Sequence, residues 1–281
     1  MSFVSLWFVP LTRQQDCILE YILPTKPGRA DRIEWYNFIW DFLWCYIIKM
    51  SNQSSPNSTE IQAIFDQIAP EYDRLNQELS LGLHHIWKLM TVKWCQPEKG
   101  DFALDICCGS GDLTNLLSKQ VGKTGQVIGL DFSPQQLKIA RQRFSATNIN
   151  WMEGDALNLP FADSSFDCAT IGYGLRNVVD IAQCLGELYR VLKPGAKAAI
   201  LDFHQPTETI AKLFQNWYLD HIVVPAAERY GLTDQYAYIS PSIDRFPRGP
   251  EQVKLGYQSG FSGAVHYPLL AGLMGVLVLK K

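Results

Sequence analysis

Beyond residue 101, short apolar runs alternate with stretches whose apolar positions recur every three to four residues, which predicts strands feeding helices. The strands fall at Phe102–Cys107, Val127–Asp131, Ile149–Met152, Cys168–Ile171 and Lys197–Phe203. Helices fall near Asp112–Gln120, Pro134–Phe144 and Ile181–Leu192, the last closed by the stop signal Lys193-Pro194-Gly195. This alternation specifies an α/β architecture, a doubly wound and mostly parallel sheet wrapped by helices. Upstream, Ser58 and Thr59 cap a helix whose apolar face is Ile61, Ile64, Phe65 and Ile68. Downstream, Leu255 to Leu279 carries no charged residue, but Gly256, Gly260, Gly263, His266, Pro268, Gly272 and Gly275 break it. Two strands of a hairpin, about Ala264–Tyr267 and Leu273–Leu279, fit it better than a membrane helix and bring the sheet to seven strands.

Composition narrows the class. The 281 residues are 47% hydrophobic and 19% charged with a net charge of −3, so a full core can form. No basic excess marks a nucleic-acid binder. The seven cysteines (Cys17, Cys45, Cys95, Cys107, Cys108, Cys168, Cys184) show no CxxC pair and no histidine at zinc spacing, which predicts a reducing compartment, no secretion and no structural metal.

Residues 1–49 stand apart, because they hold four of the eight tryptophans, Trp7, Trp35, Trp40 and Trp44. The opening MSFVSLWFVPLT lacks the basic start of a secretory signal, and the aromatic run Trp35–Ile48 is short and broken by Asp41. Asp16, Glu20, Asp31, Glu34 and Asp41 speak against an organelle transit peptide. Two accounts remain, a membrane-surface anchor or an extension translated from upstream of a start at Met50. The polar SNQSSPNSTE after Met50 favours the second. One domain is then expected over 50–281, with a helical lid at 60–95, a ligand-binding core at 101–204, an insertion at 205–255 and C-terminal strands at 256–281.

In a doubly wound sheet, ligands sit at the carboxyl ends of the strands. After the first strand comes Asp105-Ile-Cys-Cys-Gly109-Ser110-Gly111-Asp112, whose glycines permit a tight turn onto a helix N-terminus. A dinucleotide fingerprint would want a third glycine where Thr114 stands. Asp105, four residues before the first glycine, suits a ligand with a cationic amine, such as S-adenosylmethionine. Asp131 ends the second strand, where a carboxylate can accept from both ribose hydroxyls. Asp155 with Ala156 follows the third and can accept from an adenine amino group. Asp131 could instead cap the helix at Pro134, and Asp155 could be a turn residue.

The motifs LDICCGSGDLT, GLDFSPQQL, EGDALNLPFADSSFD, Thr170–Asn177 and LYRVLKPG resemble the quinone-biosynthesis C-methyltransferases of the ubiquinone/menaquinone family, over residues about 60–281. The resemblance implies the class I fold of methyltransferases that use S-adenosylmethionine, with no metal. Its donor contacts fall on Ser110, Asp131, Asp155 with Ala156, and Gly172, and with Asp105, Gly109, Gly111 and Phe132 they make up the expected donor site. Asp155 and Gly172 stand where close relatives often have Asn and Ser. Cys107-Cys108 in the glycine loop looks most like the version in oxygenic phototrophs, whose members methylate reduced 2-phytyl-1,4-naphthoquinone. A prenylated naphthoquinol is thus the implied substrate. A demethylmenaquinol or benzoquinol acceptor, or a catalytically silent donor-binding assembly protein, are the alternatives.

The implied reaction needs an electron-rich quinol ring held in line with a methyl group. Arg176 would stabilise the oxyanion or orient a water, since arginine has no accessible neutral form. Asn177 would orient it or cap the helix that follows, and Tyr72 and His84 match family positions in the lid. His85 and His204 are further titratable candidates, although family members tend to have a hydroxyl residue where His204 stands. The stripe Leu213, Phe214, Trp217, Tyr218, Ile222 and Val223 packs the core or lines a prenyl channel. Peripheral contact with a thylakoid or plasma membrane, a cytoplasmic location and a homo-oligomer are compatible with these features.

Overall fold

The structure, a computed structural model, describes residues 57–80 and 82–281, apart from the side chains of Tyr72 and Asn76. Residues 1–49 and the proposed start at Met50 lie outside the described residues. Three helices come first: α1 (Ser58–Ile68), α2 (Tyr72–Leu79) and α3 (Leu83–Cys95). The cap of α1 is Asn57, one residue before the expected Ser58. Its side chain accepts from Glu60 N–H at 3.0 Å while the Glu60 carboxylate takes the Asn57 N–H at 2.9 Å, a complete capping box.

Five parallel strands follow, β1 (Phe102–Ile106), β2 (Gln126–Asp131), β3 (Ile149–Glu153), β4 (Phe166–Gly172) and β5 (Leu192–Phe203). Helices α4 (Asp112–Val121), α5 (Pro134–Arg143) and α6 (Ile181–Val191) cross between them. With β6 (Gly263–Leu269) and β7 (Met274–Lys280), the sheet order is β3-β2-β1-β4-β5-β7-β6. β7 runs antiparallel to both β5 and β6. The chain reverses its outward march after β3, returns to the far side of β1, and so makes the switch point at which such sheets take ligands.

Lys193-Pro194-Gly195 ends α6 as expected, yet the chain enters β5 at once. The β4–β5 register slips between Phe166 and Cys168, and Gly195 takes φ +83°. A bulge therefore absorbs the proline that would otherwise interrupt a central strand. Under the sheet, Phe166 is fully buried between the rings of Phe102 and Phe161, the kind of site where truncation to alanine costs about 3–5 kcal/mol.

Between β5 and β6 lie α7 (Thr209–Tyr218), a π-helical turn at Leu219–Val223, α8 (Val224–Glu228), α9 (Thr233–Ala237), α10 (Ile239–Arg245) and α11 (Gly249–Gln258). The π turn inserts a residue into the helical ladder and rotates the faces that follow it. The predicted apolar stripe also splits. Tyr218 and Val223 turn toward the interior, Phe214 lines the large cavity while staying half exposed, and Leu213, Trp217 and Ile222 are exposed. On the same helix Gln215 is buried, its amide donating to the His204 carbonyl at 2.9 Å.

Candidate active site

The loops after β1, β2, β3 and β4 meet in one pocket, whose lining includes Asp105, Gly109, Ser110, Asp131, Phe132, Asp155, Ala156 and Gly172. After β1, Cys107, Gly109 and Gly111 all take positive φ (54°, 54° and 93°), which folds the loop back onto the start of α4. A Cβ on Gly109 would meet nothing closer than Gln136 Oε1 at 3.8 Å, so a side chain there would fill the pocket. Gly111 is different. It is not part of the lining, and a Cβ on it would come within 2.4 Å of the Trp151 ring. Its glycine is required by that left-handed backbone and by packing under the indole.

Asp131 ties two loops together. It accepts the Gly109 N–H at 2.8 Å and the Ser133 N–H at 2.9 Å, and burial pushes its carboxyl up to about 6 against the pull of those bonds. Asp105 is fully buried at the pocket floor, where the hydroxyls of Thr114 and Thr170 donate to it at 2.6 and 2.8 Å. Desolvation outweighs both and carries its carboxyl up to about 7. Asp155 is exposed and accepts the Leu157 N–H at 2.9 Å, the turn geometry weighed for it, with its second oxygen available at the rim. Free cysteines Cys95, Cys107, Cys108, Cys168 and Cys184 and scattered acids leave, among the described residues, no group arranged to hold a metal ion.

The N-terminal helices close the pocket. Ser58, Ile61 and Phe65 of α1 line it, Gln62 donates to the Phe132 carbonyl at 2.6 Å, and Ser133 donates to Asp66 at 2.5 Å. The Ser110 hydroxyl donates to Asp73 at 2.6 Å, so that side chain fastens α2 and its oxygen is left to a ligand as an acceptor. A chain of ion pairs extends the fastening, from Asp73 to Arg143 (2.7 Å), Arg143 to Asp112 (2.8 Å) and Asp112 to Lys88 (2.6 Å). Tyr72 opens α2, and its side chain lies outside the described residues.

A second, apolar cavity of about 880 Å³ adjoins the first. Phe65, Tyr173 and Asn177 line both, and Arg176, Phe203, Phe214, Tyr218 and His84 line the larger one. Arg176 lies in the 3₁₀ turn Leu175–Asn177 just beyond β4. Its Nη1 donates to Asp202 at 2.5 Å and to the Tyr173 carbonyl at 2.8 Å, and its buried Nε has no partner. Asn177 donates to the Tyr173 carbonyl at 3.0 Å, which fixes the amide and leaves Oδ1 buried without a donor. The Asn177 side chain thus holds the Tyr173 backbone rather than Arg176.

The histidines separate by position. His84 is buried, shares a 2.5 Å contact with Ser80 Oγ, and is pushed down to about 4 by desolvation and then by Lys88, so its ring is neutral at neutral pH. His85 faces outward against Gln77. His204 lines neither cavity. Its Nδ1 contacts the Asp202 carbonyl at 3.0 Å and its Nε2 contacts Gln252 at 2.7 Å and His266 at 2.8 Å, a buried strut. Sequence reasoning passed over Gln136, Lys88, Tyr173 and Asp202. The sequence signal for Asp202 is an acid one residue inside the end of β5.

Comparison with known proteins agrees with the geometry. A family model described as the ubiE/COQ5 methyltransferase family matches residues 53–280. A protein of Trichormus variabilis named 2-phytyl-1,4-naphtoquinone methyltransferase is 58% identical over 228 residues, which is 80% of this chain and 100% of that one. The chloroplastic 2-phytyl-1,4-beta-naphthoquinone methyltransferase of Arabidopsis thaliana is 50% identical over 80% of this chain and 88% of its own. Among solved structures, a SAM-dependent methyltransferase from Thermotoga maritima superposes with a TM-score of 0.58 at 22% identity, covering 78% of this chain and 99% of that one. One from Aquifex aeolicus gives 0.52 at 17% identity, with 69% and 88% covered. At those identities the likeness shows the fold.

Proposed function

The chain belongs to the ubiE/COQ5 methyltransferase family, and from that membership we propose that it methylates the ring of reduced 2-phytyl-1,4-naphthoquinone in phylloquinone synthesis. The observation that carries the substrate is the apolar cavity of about 880 Å³ meeting the strand-end pocket at Phe65, Tyr173 and Asn177. A ring at that junction could direct a carbon toward one pocket while a long prenyl tail occupies the other.

S-adenosylmethionine is the methyl donor, and the residues present suit it. Gly109 leaves open the space that a Cβ would fill, Gln136 Oε1 is buried without a partner, and three acids end successive strands. Asp131 would hold the ribose hydroxyls, Asp155 and Ala156 the adenine, and Asp105 with the glycine loop the amino acid end. When bound, the donor supplies an electrophilic methyl group on a sulfonium sulfur. Every other part falls to the protein. The lid helices exclude water, which protects an oxidisable quinol. Arg176 brings a fixed positive charge to the wall where the quinol oxygen becomes phenolate-like, with Nη1 held by Asp202 and the Tyr173 carbonyl. Asn177 Oδ1 offers the acceptor for a hydroxyl, and neutral His84 offers a second acceptor on the same cavity. Peripheral membrane contact belongs to this reading because the substrate is a lipid. Among the described residues no helix is long and apolar enough to cross a bilayer.

The test is incubation of the full chain with methyl-labelled donor and, separately, reduced 2-phytyl-1,4-naphthoquinone, demethylmenaquinone and a prenylated benzoquinone. The expected result is label in the phytyl product at the highest kcat/KM. Preference for another ring overturns the substrate, and donor binding without label in any quinone overturns the enzyme reading.

A further inference from the structure

Arg176 is presented at the cavity wall by a residue outside the motifs discussed so far. Asp202, one residue inside the end of β5, is buried with 1% exposure and lines neither cavity. Its carboxylate accepts three times: from the Arg176 backbone N–H at 3.0 Å, from Arg176 Nη1 at 2.5 Å and from its own neighbour Phe203 N–H at 2.8 Å. One carboxylate therefore fixes both the turn that carries Arg176 and the guanidinium itself. The Phe203 ring lies beneath the guanidinium at 5.1 Å, and the Tyr173 carbonyl takes the other Nη1 hydrogen. Nothing of this kind is needed to seat a surface arginine. Both side chains are more than nine-tenths buried, and a charge so desolvated is tolerated only where it is paired and aimed.

What holds Asp202 is equally specific. With the His204 Nδ1 proton donated to the Asp202 carbonyl, His204 Nε2 accepts from the Gln252 amide at 2.7 Å, and His266 Nε2 packs against it at 2.8 Å. Gln252 on α11 also donates to the Pro247 carbonyl at 2.7 Å, and His266 on β6 packs against the backbone of Gly249 and Gly275. The C-terminal hairpin and α11 thus brace the strand end from behind.

We infer that Asp202 is a positioning residue for methyl transfer, holding the Arg176 guanidinium at the quinol oxygen while supplying no contact of its own. The inference rests on the function proposed above. Removing the pairing charge lets the guanidinium move, and a displacement of about 1 Å costs on the order of a hundredfold in rate.

The experiment uses the full chain carrying Asp202→Asn, Asp202→Glu, Arg176→Ala and the double change Arg176→Ala with Asp202→Asn. kcat and quinol KM are measured per folded molecule, with donor affinity and the urea midpoint alongside. For Asp202→Asn the expected result is kcat down about a hundredfold, donor affinity and KM within about threefold of wild type, and partial recovery in Asp202→Glu. The double variant should be no slower than Arg176→Ala alone, because residues acting through one another are not additive. An unchanged kcat in Asp202→Asn, a loss explained wholly by the unfolded fraction, or a double variant slower by the product of the two losses overturns the inference. A wild-type chain that transfers no methyl to any quinol overturns the proposed function and this inference with it.

Discussion

The Asp131→Asn variant probes the hinge on which the donor pocket depends. The carboxylate accepts the Gly109 N–H and the Ser133 N–H, one on each oxygen, and both partners are backbone groups away from bulk water. An amide keeps one acceptor and turns two hydrogens toward the other N–H. One charge-assisted bond, worth about 1.5–3 kcal/mol, is exchanged for a donor facing a donor. Stability should therefore fall by roughly 2–3 kcal/mol, visible as a lower urea midpoint at unchanged slope. The ribose hydroxyls meet a neutral amide with one free acceptor, so donor affinity should fall a further tenfold to hundredfold, the same 1.5–3 kcal/mol read as binding. The assay is calorimetric titration of S-adenosylmethionine into folded variant and wild type, with the denaturation curve measured in parallel. Wild-type affinity in a destabilised variant would show that Asp131 only staples the glycine loop. Wild-type stability with lost affinity would show that the two N–H bonds carry no structural weight. Either result refutes the dual role.

Gly111→Ala forces a Cβ to within 2.4 Å of Trp151 at φ +93° and should destabilise the fold by about 2–4 kcal/mol while the folded fraction binds donor nearly normally. Urea curves with a donor titration check it, and lost affinity at full stability would put Gly111 among the ligand contacts. Phe214→Asp puts a charge on a ring that both lines the large cavity and reaches solvent, so KM for a phytylated quinol should rise at least about tenfold while that of a tail-less naphthoquinol stays put. Asp105 and Asp131 have carboxyls raised to about 7 and about 6, so their protonated forms are favoured by folding and their stability contribution is lost as pH climbs through those values. If donor binding draws on the ionised forms, the thermal shift produced by saturating S-adenosylmethionine should grow from pH 5 to pH 7.5 and then level off, with affinity changing about tenfold per pH unit between pH 6 and 7 and approaching about a hundredfold per unit below pH 6, where both acids must lose a proton. Scanning the shift by differential fluorimetry tests this, and a flat profile would remove both acids from the donor site.

Much of this arrangement is readable before any coordinates. Strand–helix alternation has a period that survives in one dimension, so β1 to β5 and the reversal at Lys193-Pro194-Gly195 fall within a residue or two of expectation, except that β5 begins at Leu192. Strand-end acids are legible for the same reason, because a doubly wound sheet always delivers those positions to one edge. What one dimension hides is commitment. Nothing local says that Ser110 gives its hydroxyl to Asp73, 37 residues away, or that Gly111 packs under Trp151. The insertion is the hardest part to read, since regular helical spacing does not say which positions line the cavity and the π turn at Leu219–Val223 breaks that spacing.

Tyr173 shows how the two cavities come to share a wall. It sits between Gly172 and Gly174 at φ +60°, a left-handed conformation that costs a bulky residue of order 1–3 kcal/mol. Neither neighbour has room to take over: a Cβ on Gly172 would strike Leu113 at 2.5 Å and one on Gly174 would strike Cys107 at 2.4 Å. The strain is held by the surroundings. Tyr173 N–H donates to the Leu201 carbonyl at 2.7 Å, its own carbonyl receives both Arg176 and Asn177, and its ring contacts Phe203. An extended Tyr173 would continue β4 and carry Arg176 and Asn177 away from the junction. The reversed backbone instead ends the strand there, points the ring at the boundary of both pockets, and brings the Arg176 turn back over the end of β5 within reach of Asp202. The outlier is thus the point at which sheet topology becomes site geometry, and its cost is offset by the same hydrogen bonds that aim Arg176 and Asn177.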